Sequence, residues 1–217
     1  SLYTDPETLA EHFELDAAPQ WTARYNIAPS SDILAIGLTR DGRRRASRLR
    51  WGLIPAWARD PGIGHKMINA RAETVAEKPA FRRAFREHRC LIPADGFFEW
   101  KRADGNREPW YVRRRDGQPM AFAGLWEQWT DRASGERVAS CTIITTTANA
   151  VLAPIHDRMP VILERGAYAD WLGGGPDPRD MLTPANDDVL EGYRVDARVN
   201  NPRNEGADCI RPLAEDS

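Results

Sequence analysis

The chain has 217 residues, and its 30 basic and 32 acidic side chains give a formal net charge of −2. A hydrophobic fraction of 41% can supply a core and the 29% of charged residues can cover it, so global disorder is excluded. No apolar run approaches the roughly 20 residues that a membrane-spanning helix needs, and no secretory signal is visible. We therefore expect a cytoplasmic protein and one domain over residues 1–217.

The basic residues are mostly arginine, since only Lys66, Lys78 and Lys101 are lysines. A coding bias would explain this composition, and so would guanidinium groups that bind phosphates bidentately and stack on bases. With a net charge of −2, any surface for nucleic acid must be a local patch. Composition alone leaves both explanations open.

Cysteines and histidines are spaced too widely to predict a disulfide framework or a metal site. An odd number of dispersed cysteines is typical of a reducing compartment. No pair has the spacing of metal ligands, and no glycine-rich phosphate loop occurs, so we expect neither a metal nor a cofactor. The residues concerned are Cys90, Cys141 and Cys209, of which the first two fall in apolar strand patterns, and His12, His65, His88 and His156.

The first part of the chain predicts a helix and a β-hairpin. Asp5 is suited to cap a helix that begins with the following proline, with Leu9 and Phe13 on one face. The segments 33–38 and 47–51, on either side of the Asp41-Gly42 turn, predict a hairpin over 33–51.

Further strands and short helices are predicted after the hairpin. Turns at Asp104-Gly105 and Asp116-Gly117 would join three segments into a meander, and a β-branched run predicts another strand. The meander segments are 97–102, 109–114 and 119–126, and the other strand is 140–147. Short helices are expected over 79–88, from about Ala148 and over 165–172. Hairpins with segregated helices predict an α+β fold: a mainly antiparallel curved sheet or partial barrel with peripheral helices.

One acidic residue lies among aromatic side chains. Alternation along a strand puts Phe97 and Glu99 on one face, and Phe98 and Trp100 on the other. Partial burial among these rings is expected to raise the pKa of Glu99 towards the range useful in acid–base catalysis. The alternative is an ion pair between Glu99 and an arginine.

Other residues predict proton transfer, anion binding or base stacking. His156 lies in a loop before a strand, where its imidazole either exchanges protons near neutral pH or has no catalytic role. Asn69 and Arg71 share one face of an extended segment, which suits an oxyanion, a phosphate or a structural clamp. We expect Trp51 in the core and Trp57 at the surface, where it could stack on bases.

Several sequence blocks occur in a characteristic order over nearly the whole chain. They are 24–29 (RYNIAP), 51–55 (WGLIP), 68–73 (INARAE), 93–100 (PADGFFEW) and 155–160 (IHDRMP), with Val199-Asn200 and Asn204-Glu205-Gly206 near the end. In these blocks the chain resembles the SOS response-associated peptidase (SRAP) family.

The resemblance implies a fold, an activity and roles for the site residues. Members of that family bind single-stranded DNA and link covalently to the ring-opened sugar of an abasic site. An N-terminal cysteine, exposed by autocatalytic removal of the initiator methionine, forms a Schiff base through its amine and a thiazolidine ring through its thiol. By the resemblance, Asn69 orients the terminal residue and the sugar, Glu99 shuttles protons, and His156 assists ring opening. The DNA-contacting residues implied are Arg71, Arg158, Trp57 and Thr145.

The start of the chain departs from the family pattern. The family begins Met-Cys-Gly-Arg followed by an aromatic residue, whereas this sequence begins Ser1-Leu2-Tyr3-Thr4. We therefore expect the chain as written to bind single-stranded DNA with abasic sites as a monomer, at the nucleoid, without crosslinking it. A non-catalytic module that binds single-stranded DNA is the alternative, and a hydrolase unrelated to DNA is a third hypothesis.

Overall fold

The computed structural model describes residues 1–103 and 105–214, and its fold is α+β. No helix in this part of the chain is long and apolar enough to cross a membrane. The α-helices are α1 (Pro6–Phe13) and α2 (Arg82–Glu87). The strands are β1 (Asp32–Leu38), β2 (Arg44–Trp51), β3 (Asn69–Arg71), β4 (Arg89–Ala94), β5 (Gly96–Ala103), β6 (Asn106–Arg114), β7 (Met120–Thr130), β8 (Arg137–Thr147), β9 (Arg158–Pro160), β10 (Ile162–Leu163) and β11 (Leu190–Arg194).

Five strands follow one another around a partial barrel. Their order is β7-β4-β1-β2-β8, and β8 also pairs with β7, which joins the two ends of the order. β1 and β4 meet at the single pair Ile36 and Leu91, so this seam is short. Most neighbouring strands are antiparallel, while β2 and β3 run parallel to β8. The predicted curved sheet and the hairpin over 33–51 are confirmed.

A second sheet contains three strands in the order β11-β6-β5. β5 and β6 match the first two predicted meander segments, but β7 pairs with β4 in the barrel. The predicted meander is therefore wrong at its third strand, because the partner of β7 comes from an earlier part of the chain. β11 is instead the third strand of this sheet, and no strand was predicted there. The predicted Asp104-Gly105 turn is described only at Gly105, since Asp104 lies outside the described residues.

The first helix matches its prediction. The Asp5 carboxylate accepts the Thr8 backbone N–H at 2.9 Å and caps the helix. Leu9 and Phe13 are buried on one face, and Phe13 stacks on Tyr168 with ring centroids 5.4 Å apart.

The later helices differ from their predictions. α2 is shorter than the predicted 79–88. The segment expected as a helix over 165–172 is helical, but it begins as a 3₁₀ turn (Arg165–Ala167) and ends as a π-helical turn (Asp170–Gly174). The helix expected from Ala148 is a series of turns. There the Asn149 side chain accepts the Leu152 N–H at 3.1 Å, a side-chain bond of the kind that competes with helical pairing.

Alternating residues of the barrel strands pack into two hydrophobic clusters. Leu34 and Ile36 of β1 belong to the cluster that includes the helices, whereas Ile33 belongs to the other. Cys90 and Cys141 are buried free thiols in the second cluster, which confirms their assignment to the core. Burial raises the pKa of the Cys141 thiol, so this group stays protonated.

Candidate functional site

A cavity of about 630 Å³ lies between the partial barrel and the second sheet. Its apolar lining comes from barrel strands, from β5 and from segments near both ends of the chain, including Leu2, Trp21 and Val199. Most of the residues singled out in the sequence meet on its walls, although they come from β3, β5, β8 and the segment around the start of β9. These polar residues are Asn69, Arg71, Glu99, Thr145, His156 and Arg158.

β3 places two polar side chains on one wall of the cavity. Because β3 runs parallel to β8, Asn69 lies opposite Ile143 and Arg71 lies opposite Thr145. Ala70 is buried while Asn69 and Arg71 are exposed, which confirms that the two polar residues share a face. Arg71 has no ion-pair partner in the described part of the chain, so its charge is available to an anion.

Glu99 lies on β5 among aromatic residues. Phe97 packs against Phe122 with ring centroids 5.7 Å apart. Phe98 packs with Tyr111 in a different cluster, with centroids 5.1 Å apart. The predicted alternation of Phe97 and Phe98 is therefore confirmed.

The carboxyl group of Glu99 is largely removed from water. Burial raises its pKa, and the nearby His156 partly opposes that effect when its imidazole is protonated. Arg107 lowers the pKa less than burial raises it, and Glu99 has no ion pair with any described arginine. The predicted direction of the shift is confirmed, and the arginine-paired alternative is not found within the described residues.

His156 is fixed by a backbone hydrogen bond. Its Nδ1 accepts the Arg158 N–H at 3.0 Å. Nδ1 also lies 3.3 Å from the Arg158 carbonyl oxygen, and the tautomer decides whether it donates or accepts. In the neutral tautomer that accepts the Arg158 N–H, the proton is on Nε2, which is then an N–H donor. The Asp157 carboxylate lies 3.3 Å from Nδ1, and the imidazole side chain is 42% exposed. The ring can therefore exchange protons with a molecule in the cavity.

Arg158 is held by three side-chain hydrogen bonds. Its Nη1 and Nη2 donate to the two carboxylate oxygens of Glu73 at 2.6 and 2.9 Å. Nη2 also donates to the Thr145 carbonyl oxygen at 2.7 Å. The Arg158 guanidinium holds the pKa of Glu73 below its usual range, chiefly by hydrogen bonding. Glu73 was missed as a site residue, although it belongs to the block at 68–73.

Ser1 forms part of the cavity wall. Its α-amine donates to the Gly96 oxygen at 2.8 Å, and the Asp95 N–H donates to the Ser1 oxygen at 3.0 Å. The Ser1 and Tyr111 hydroxyl oxygens lie 2.6 Å apart, and Asp95 accepts the Thr4 N–H at 2.7 Å. Burial lowers the pKa of the Ser1 amine to about 5, an effect that Asp95 partly opposes. Asp95 and Tyr111 were also missed, because their contacts join residues far apart in the sequence.

Two tryptophans of neighbouring sequence blocks lie in different surroundings. Trp51 is half-buried on the cavity wall and donates its Nε1–H to the Ile68 oxygen at 2.9 Å. Trp57 is 57% exposed, as predicted, but it lies outside the cavity lining. It borders a separate depression together with Arg59 and Lys66.

The C-terminal sequence blocks pack beside the cavity. The Asn200 side-chain oxygen accepts the Trp100 Nε1–H at 2.7 Å. The Glu205 carboxylate accepts the Tyr25 N–H at 2.8 Å, and the Asn26 amide donates to the Asn204 carbonyl oxygen at 3.1 Å. These contacts connect the first and last sequence blocks around one site.

The geometry suits proton transfer beside an anion. Glu99 is a carboxyl group with a raised pKa, His156 offers an N–H donor, and Asn69 adds a neutral amide. Arg71 adds a guanidinium without an ion pair among the described residues. Such a set can act on a carbonyl or a sugar oxygen in a molecule that also carries a phosphate.

Comparison with known proteins finds relatives over nearly the whole chain. The family model described as SOS response associated peptidase (SRAP) matches residues 1–202. Abasic site processing protein YoaM of Bacillus subtilis is 43% identical over 218 residues, which cover 97% of this chain and 95% of that protein. Abasic site processing protein YedK of Escherichia coli is 32% identical over 214 residues, with coverages of 94% and 92%.

Solved structures show the same fold. An X-ray structure of a protein from Bordetella bronchiseptica has a TM-score of 0.79 and 31% identity, and the alignment covers 90% of this chain and 97% of that one. A structure of a protein from Bacteroides thetaiotaomicron has a TM-score of 0.88 at 24% identity, with coverages of 99% and 98%.

Proposed function

The chain belongs to the SOS response-associated peptidase (SRAP) family, and from this membership we propose that it processes abasic sites in single-stranded DNA. The observation that carries the proposal is the convergence of Asn69, Glu99 and His156 on one cavity, with Arg71 on the same wall as Asn69. The names of YoaM and YedK, both abasic site processing proteins, support it. In this proposal the protein acts at the nucleoid as a monomer and needs no cofactor.

The proposed reaction captures the ring-opened sugar through an amine and a thiol on one residue. The amine adds to the aldehyde carbon, and loss of water gives a Schiff base. The thiol then adds to the same carbon, and its proton passes to the nitrogen, which completes a thiazolidine ring. Two nucleophiles on one residue make the second step intramolecular and therefore fast.

The side chains of the cavity have distinct parts in this reaction. Glu99, whose pKa is raised by burial, would protonate the departing hydroxyl so that it leaves as water. On reversal the Glu99 carboxylate would take a proton back from the attacking water. The His156 Nε2–H would donate to the sugar ring oxygen during ring opening. Asn69 would orient the reacting residue, while Arg71, Thr145 and Arg158 would contact the DNA strand near them.

The proposal places the reacting cysteine before Ser1, since the three cysteines of the chain are buried thiols. Ser1 exchanges antiparallel hydrogen bonds with Asp95 and Gly96 at the corner between β4 and β5. A segment continued backwards from Ser1 would follow the edge of β5 that faces away from β6, towards Glu99. A Met-Cys-Gly-Arg segment of the family type, followed by an aromatic residue, would in this way place its cysteine in the cavity. Glu99 and His156 would then also lie near the bond that is cleaved when the initiator methionine is removed.

The experiment uses the chain extended by Met-Cys-Gly-Arg-Phe before Ser1. With a single-stranded oligonucleotide that contains one abasic site, we expect a heat-stable band of lower mobility. The same oligonucleotide with thymine at that position should give none. Glu99→Gln should remove the band and leave the affinity for DNA intact.

The second candidate is a non-catalytic module that binds single strands, and the available charge of Arg71 favours strand binding in either case. That module would bind the abasic oligonucleotide without any heat-stable band. Unfolding of Glu99→Gln would assign Glu99 a structural role. An affinity that does not weaken with added salt would favour a hydrolase unrelated to DNA.

A further inference from the structure

We propose that Glu73 and Arg158 act as one net-neutral positioning pair, and that Arg71 alone supplies the positive charge that neutralises a DNA phosphate at this wall. The inference rests on the proposed function, because it concerns how the same cavity holds a DNA strand. It assigns different roles to Arg71 and Arg158, which the family resemblance treats alike as DNA-contacting residues.

The hydrogen bonds of Arg158 leave little of its guanidinium for DNA. Of the five N–H donors that an arginine carries, three point to Glu73 and Thr145. The Nε atom is buried and has no partner among the described residues. Only 18% of the Arg158 side chain is exposed. One Nη1 N–H remains, which suffices for a single directed hydrogen bond to a phosphate oxygen.

The positive charge of Arg158 is balanced by a carboxylate of the same chain. The Glu73 carboxylate holds it bidentately, and hydrogen bonding to Arg158 keeps the Glu73 pKa low, so Glu73 is ionised at neutral pH. A neutral pair does not neutralise a phosphate, so it releases few of the cations that are condensed on the DNA. Arg71, which also acts electrostatically on Glu73, forms no ion pair with a described residue.

The pair also connects the two sides of the site. Glu73 follows β3, which carries Asn69 and Arg71, while Arg158 begins β9 and donates its backbone N–H to His156. Between them lies Thr145 near the end of β8, whose carbonyl oxygen accepts from Arg158. The pair therefore fixes the β3 side of the cavity relative to the imidazole.

The test measures how the affinity for an intact single-stranded oligonucleotide, without an abasic site, depends on salt. Each phosphate-neutralising cation adds about 0.7 to the slope of log K against log salt for single strands. Arg71→Ala should flatten the slope by about 0.7. The double variant Glu73→Gln/Arg158→Met, which removes both charges of the pair, should weaken binding at every salt concentration with little change of slope. Glu73→Gln, which leaves a net positive charge on Arg158, should steepen the slope by about 0.7.

A matched control removes the same charge elsewhere. Glu191→Gln breaks the ion pair of Glu191 with Arg113, whose atoms lie 2.8 Å apart and outside the cavity lining. Its slope should equal that of the wild type. A slope for this double variant as flat as that of Arg71→Ala would overturn the proposal, and so would an unchanged slope for Glu73→Gln.

The positioning role of the pair is tested by measuring the affinity for DNA and the rate of crosslinking separately. In the cysteine-extended chain, Glu73→Gln should crosslink an abasic oligonucleotide more slowly although it binds DNA at least as tightly at low salt. An unchanged rate at saturating DNA would overturn the positioning role.

Two further outcomes distinguish a failure of the proposal for this pair from a failure of the proposed function. If the wild-type chain does not bind single strands, the proposed function fails and the role of the pair in DNA binding fails with it. The pairing itself is then decided by urea unfolding of Glu73→Gln, Arg158→Met and the double variant. We expect the double variant to lose less stability than the sum of the single losses, and strict additivity would overturn the pairing.

Discussion

Glu99 of the second sheet and His156 of the segment before β9 line the same cavity, and the positive charge of a protonated imidazole opposes the effect of burial on the pKa of the carboxyl group. Their environments thus differ: partial burial raises the pKa of Glu99, whereas His156 is 42% exposed and bound at Nδ1. Two titratable groups in such different settings can divide acid and base roles between them.

Replacing Glu99 by glutamine should stabilise the fold at neutral pH. Because the pKa of Glu99 is raised in the folded chain, ionisation costs stability as the pH rises above the ordinary value for Glu, about 4.3. Below that value both states are protonated and the cost vanishes. We expect Glu99→Gln to have a higher Tm than the wild type at pH 7 and the same Tm near pH 4. Thermal unfolding across this range measures the difference, with exposed Glu136→Gln as the control, and a lower Tm for Glu99→Gln at pH 7 would contradict the assignment.

Asp95 should stabilise the N-terminal segment. It is 6% exposed and accepts hydrogen bonds from Thr4 N–H at 2.7 Å and from the Tyr3 N–H. Since bonds to a charged acceptor contribute about 1.5–3 kcal/mol each, Asp95→Ala should lower the free energy of unfolding by about 3 kcal/mol. Urea denaturation measures this loss. Asp131→Ala removes a comparable acceptor from an exposed turn and should cost clearly less, so equal losses would argue against a special role for Asp95.

Trp57 should contribute to DNA affinity and little to folding. Its 57% exposure leaves the ring available to a base, and stacking of one base contributes about 1–3 kcal/mol. Trp57→Ala should therefore weaken binding of a single-stranded oligonucleotide by about fivefold to 150-fold, with an unchanged Tm. Fluorescence anisotropy at constant salt measures the affinity. Leu38→Ala, at a residue 43% exposed, is the apolar control, and equal affinities for both variants would exclude stacking on Trp57.

The chain that begins at Ser1 should bind abasic DNA without a heat-stable product. Its buried amine has a pKa of about 5 and is neutral at pH 7, but Ser1 lacks the thiol that closes a thiazolidine ring. Denaturing electrophoresis after incubation with abasic single-stranded DNA should show free oligonucleotide only. A robust slower band would instead make Ser1 a candidate nucleophile.

Local patterns in the sequence predict much of this site. The period of two along β5 separates Phe97 from Phe98, and the same period puts Asn69 and Arg71 on one face. Whether Glu99 was buried or paired with an arginine stayed open, because that choice depends on residues distant in the chain.

Contacts between distant segments could not be predicted. The Glu73–Arg158 pair, the bonds of Asp95 to the first residues and the place of β11 beside β6 all follow from how separate strands align. Strand register across a barrel is set by the packing of the whole core, which local alternation does not encode. The third meander strand was misplaced for the same reason.

The most direct test of the account is peptide mapping by mass spectrometry of the adduct between the cysteine-extended chain and an abasic single-stranded oligonucleotide. We expect the nucleotide mass on the N-terminal cysteine peptide, and its loss in Glu99→Gln. An adduct on Lys66, Lys78, Lys101 or any other side chain of residues 1–217 would contradict the account.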